Sequence, residues 1–149
     1  MLKFLLSLHV VLGLLGISCF AATALWLQKK ELKILSLKKS SFLAAIFIVL
    51  SWISGGYYYY VYYGKNVKEV IKKGDYPWAH TVFMESKEHI FLFLPFLAIA
   101  LAVIIFTRGE SLSTSPNLKK QLTILAVLGL ALGIFITLSG AIISGAYRT

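Results

Sequence analysis

Of the 149 residues, one is a cysteine and six are acidic. The lone thiol, Cys19, excludes an internal disulfide, and the absence of a CxxCH stretch excludes covalent haem attachment. No Ser/His/Asp arrangement, phosphate-binding glycine loop, HExxH or dinucleotide-binding glycine motif occurs, so hydrolytic and nucleotide-driven chemistry find no support. Polar chain is the scarcest commodity. The sequence is 58% hydrophobic with a mean hydropathy of +0.80, outside the range of soluble globular proteins.

What is present reads as membrane spans. Crossing about 30 Å of hydrocarbon takes about 20 apolar residues, and four stretches qualify: Phe4–Leu27, Ser41–Tyr63, His89–Thr107 and Leu122–Tyr147. The first is longer than the ~7–15-residue apolar region of a signal peptide, so it is read as a retained span. Little chain is left over. The expectation is one all-α integral membrane domain over 1–149, a four-helix transmembrane bundle made of a hairpin (1–63), a connector (64–88) and a second hairpin (89–149).

The net charge of +9 does not require nucleic acid, because the lysines cluster beside span ends where anionic headgroups and topology explain them. Loops 28–40 and 108–121 share one side and carry eight basic residues, against seven on the other. The short, lysine-dense first loop favours both termini outside a bacterial or archaeal cytoplasmic membrane.

The chain repeats itself. IFIVLSWISGGY (46–57) and IFITLSGAIISGAY (134–147) share IFI-x-LS and a later ISG-small-Tyr, and SLKKS (36–40) resembles NLKKQ (117–121). From His9 to Leu37 is 28 residues, and from His89 to Leu118 is 29. The two hairpins are therefore expected to be pseudo-repeats of like orientation, related by an axis along the membrane normal. His9 and His89 become equivalent, on the first and third spans and in the outer half.

Imidazole in hydrocarbon is costly unless it has partners, which makes an intramembrane histidine a functional candidate. Two rings facing across a bundle suit six-coordinate haem iron. The alternative for each is an interfacial ring bonded to water or a carbonyl. Glu85 and His89 are four apart on one face, so Glu85 could orient the ring or, with His80, complete a metal site. Val67–Lys73 is expected to form a short amphipathic helix ended by Gly74, and Pro95 to kink the third span. Tyr57–Tyr63 reads first as an interfacial tyrosine belt, with some rings facing inward. The small residues Ser51, Gly55, Gly129, Gly133, Gly140 and Ser144 predict close helix approach or room for a flat ligand.

LHVVLGLLGIS (8–18), ISGGYY (53–58) and ESKEHIFLFL (85–94) together resemble small membrane domains of the bacterial membrane-bound protoporphyrinogen oxidase and copper-resistance protein D-like type. The resemblance covers residues 1–107 and places His9, Ser54-Gly55 and Lys87 at the family's motif positions. It implies haem b at His9 and a functional role for Lys87. The tryptophan and paired glycines usual after that histidine are missing here, and His89 is additional. The resulting expectation is a b-type haem protein with His9 and His89 as axial ligands and Glu85 or Lys87 nearby. It would transfer electrons to or from a quinone or a redox protein. The alternatives are a non-catalytic scaffold subunit docked to other membrane subunits, and a metal-ion permease using His80, Glu85 and His89.

Overall fold

The computed structural model describes residues Leu2–Arg148, and nearly all of them are helical. The long helices are α1 (Leu2–Gln28), α2 (Ile34–Tyr58), α4 (Glu85–Arg108) and α5 (Pro116–Arg148), with a short α3 (Lys68–Lys73) in the connector. Four helical stretches are long and apolar enough to cross a membrane. α1 packs along α2 and α5, and α4 packs along the same two, so α1 and α4 lie on a diagonal. The start of α1, the end of α5, the end of α2 and the start of α4 share one end of the bundle.

The helices run beyond the expected spans. α2 begins at Ile34 and α5 at Pro116, because their lysine-bearing first turns are helical although too polar for hydrocarbon. Proline suits the first turn, where its missing N–H costs nothing, and the Ser115 carbonyl accepts from Lys119 N–H at 3.1 Å. At the other end, Gly64 does not stop α2. The chain continues through a π-helical stretch, Tyr59–Val67, directly into α3, making one rod over Ile34–Lys73. Forty residues at ~1.5 Å rise far exceed ~30 Å of hydrocarbon, so this rod stands proud of the bilayer. A second π-helical stretch, Ala79–Met84, leads into α4. The expected short helix ended by Gly74 is present as Lys68–Lys73, with Val67 in the π-helical stretch before it, and within the connector only residues 74–77 interrupt the helical path.

The two ends of the bundle are packed differently. Around the lysine-rich loops the interior is filled: Phe20, Leu27, Leu37, Leu101, Ile105 and Leu112 are all but fully buried in one cluster. Gly129 makes this possible, since a Cβ there would sit 2.5 Å from the Phe20 ring. The Thr23 and Ser40 hydroxyls meet at 2.9 Å across α1 and α2, and Lys119 Nζ donates to the Lys29 carbonyl at 2.9 Å, capping the end of α1 with a cation. Outward positions carry bulk, such as Phe93 (54% exposed) and Phe96 (67%) on α4, the surface that lipid would cover.

Candidate functional site

Toward the termini the bundle opens into a chamber of about 1650 Å³ walled by all four long helices. That exceeds the ~300–1,000 Å³ of an ordinary small-molecule pocket. The helical period decides what faces it. On α1 the inward stripe is His9, Gly13 and Ile17; on α5 it is Gly133, Thr137, Gly140 and Ser144. Gly13 and Gly133 are packed against Ser51 and Ile17, whereas at Gly140 only the tip of Lys87 comes within 4 Å of where a Cβ would stand.

His9 is held on several sides. Its Nδ1 lies 2.9 Å from the Ser51 carbonyl oxygen and 3.0 Å from Ser51 Oγ. Ser51 Oγ in turn donates to the His9 carbonyl at 3.0 Å. The carbonyl can only accept, so it selects the tautomer with the proton on Nδ1 and leaves Nε2 with its lone pair. Among the described residues Nε2 has no hydrogen-bond partner. The ring lies directly against Gly55, where a Cβ would meet Nδ1 at 2.5 Å and Cε1 at 2.6 Å. Phe91 closes the other side edge-on, its centroid 5.9 Å from that of the imidazole.

Two charged groups of α4 share the chamber. Lys87 Nζ comes within 3.4 Å of where a Gly140 Cβ would stand, and it makes no hydrogen bond or ion pair among the described residues. Glu88 lines the same wall. The Tyr59 hydroxyl lies beside its carboxylate, yet Glu88 Oε1 is buried without a hydrogen-bond partner. The neighbours Lys87 and Glu88 are not paired with each other.

The structure does not bring His9 and His89 together. His89 is exposed, does not line the chamber, and has its Nδ1 2.7 Å from the Glu85 carbonyl of its own helix. Once Lys87, Glu88, Phe91 and Leu94 face inward, position 89 falls on the opposite side with Phe93 and Phe96. Glu85 is exposed as well, and its backbone rather than its carboxylate meets His89. The equivalence read from the repeat fails at the glycine too: Gly55 is covered by His9, whereas nothing lies within 4 Å of a Cβ on Gly145.

His80 is buried elsewhere, in the connector, 3.0 Å from the Tyr63 hydroxyl. The His80, Glu85 and His89 set of a permease is thus dispersed, and among the described residues no three His, Cys, Asp or Glu side chains gather around a metal position. Of the tyrosines, Tyr60 is 74% exposed while Tyr63 is 4%, so the run is a belt on one side and chamber wall on the other. The sequence alone marked Ser51 as a small residue giving close helix approach or room for a ligand, and gave Glu88, in the KEH stretch, no role of its own. Their signal was the inward register: Ser51 is four before Gly55, and Glu88 is three before Phe91.

Comparison with family models, curated proteins and solved structures finds no match.

Proposed function

We propose that this is an integral membrane protein that holds one b-type haem in the chamber, with His9 Nε2 as the single protein imidazole on iron, and that it serves electron transfer. The observation carrying this reading is the fixing of His9: Nδ1 held by the Ser51 carbonyl, the ring braced by Gly55 and Phe91, and Nε2 left over. Metal-bound histidines are held in this way by a backbone acceptor on the other ring nitrogen.

The remaining residues suit a flat, acidic amphiphile. Gly140 faces only the tip of Lys87, and the walls are predominantly apolar. Lys3 and Arg148, which also line the chamber, offer cations to carboxylates. Bound haem would supply one-electron redox chemistry. Ser51 would set the tautomer and aim of His9, and Phe91 would keep water from the ring. The bis-histidine arrangement is withdrawn, because His89 lies outside the chamber.

The test is the visible spectrum of protein purified from haem-replete membranes. A Soret band that shifts on reduction, is lost in His9→Ala and survives in His89→Ala is the expected result. A colourless wild-type protein refutes the reading, and one that copurifies with other subunits favours the scaffold role. A band indifferent to His9→Ala refutes the ligand assignment.

A further inference from the structure

The unpaired α4 charges have a use apart from His9. Oε1 of Glu88 is a buried acceptor with no donor, although the Tyr59 hydroxyl serves the same carboxylate, and Lys87 Nζ is a donor with no acceptor among the described residues. Leaving such groups unsatisfied is unfavourable, the more so when they are charged. They do not neutralise one another, although they are adjacent in sequence and line one cavity. A ligand that relieved both would present a hydrogen-bond donor to Glu88 and an oxygen acceptor to Lys87.

The approach to them is apolar and sideways. Ile53 of α2 and Leu92 of α4 line the chamber and are each 56% exposed on the outer surface. The chamber therefore reaches the lipid-facing side between these neighbouring helices. Trp52 and Phe91 stand at the same place, their ring centroids 6.5 Å apart and tilted by 41°. An entrance of this kind admits a molecule dissolved in the bilayer more readily than one in water. Aromatic walls favour a planar headgroup.

We infer that the chamber contains a second binding site, for a lipid-tailed hydroquinone, whose headgroup enters between α2 and α4 and bonds through a hydroxyl hydrogen to Glu88 and through an oxygen to Lys87. The site goes beyond the haem reading and does not depend on it, since His9 is not among its contacts. The volume of about 1650 Å³ accommodates a second occupant where an ordinary pocket would not.

The experiment uses the full chain in lipid nanodiscs and follows the fluorescence of Trp52, with Trp52→Phe as the background. The probes are a tailed hydroquinone and its dimethyl ether, which keeps the oxygens and tail but has no hydroxyl to donate. The wild type is expected to bind the hydroquinone about tenfold or more tightly than the ether, the worth of one hydrogen bond to a charged group. Glu88→Leu should abolish that preference, since it removes the acceptor of the hydroxyl hydrogen. Lys87→Met should weaken both probes to a similar degree. Equal affinity of the wild type for the two probes overturns the inference, as does a preference unchanged in Glu88→Leu. His9→Ala should keep the preference. A colourless protein that still prefers the hydroquinone thus refutes the haem reading alone, and a haem-bearing protein without the preference refutes the lipid site alone.

Discussion

Gly55→Ala is the most informative single perturbation of the chamber. One methyl group placed there would stand 2.5 Å from His9 Nδ1, 2.6 Å from Cε1 and 3.2 Å from Cγ. The obstacle is a ring held on two sides, so it cannot yield as the tip of a flexible chain would. To make room the imidazole must swing away from α2, which breaks the contacts of Nδ1 with the Ser51 carbonyl at 2.9 Å and Ser51 Oγ at 3.0 Å. Overpacking of this kind costs about 1–3 kcal/mol, and a lost intramolecular hydrogen bond about 1 kcal/mol more, so a destabilisation of about 2–4 kcal/mol is expected. The assay is thermal unfolding in a fixed detergent, with haem content read on the same samples. Gly56→Ala and Gly145→Ala are the controls, since nothing lies within 4 Å of a Cβ at either position. The variant should lose both stability and haem occupancy, and the controls neither. If Gly55→Ala matches the controls in both readouts, the claim that Gly55 positions His9 is wrong.

Gly129→Ala drives a methyl to 2.5 Å from the Phe20 ring in the filled half, so it should destabilise by about 1–3 kcal/mol while leaving the ligand properties of the surviving folded protein unchanged; a Tm equal to that of the wild type would contradict this. Tyr63→Phe removes the hydroxyl 3.0 Å from His80 Nδ1 and leaves a buried ring nitrogen unpartnered, with an expected cost of about 1–3 kcal/mol. Amide exchange at Ala79–Met84 should rise in that variant, and unaltered protection would count against the pair as the tie between the two connector segments. His89→Ala touches an exposed ring bonded only within its own helix and should change stability by no more than about 0.5 kcal/mol. A loss as large as that of His9→Ala would return His89 to the site.

Much of the architecture was legible in the order of residues. Helix number and the all-α class follow from four apolar stretches with little polar chain left over. The diagonal placement of α1 and α4 comes from their shared packing on α2 and α5. The extent of the helices was less legible. Apolarity marks what can sit in hydrocarbon, whereas hydrogen bonding continues a helix into water, and Ile34–Lys73 does so past Gly64 by widening to π turns. The repeat misled at one point. Similar strings in two hairpins imply similar backbones, but the rotation of α4 about its axis depends on which residues pack best, and Leu94, Leu97, Ala98 and Leu101 pack inward. That rotation carries His89 to the outside.

By itself, then, the sequence determined an all-α chain of four membrane-length helices, with hydrophobic content and loop length leaving few alternatives. Tertiary packing alone decided that one end is filled and the other open, that His9 rests on Gly55, and that Lys87 and Glu88 share a wall unpaired. The physical reason is that a span's apolarity is nearly the same on every face, so no moment in the sequence says which side turns inward. Only contact between helices, one glycine or one ring at a time, sets that angle.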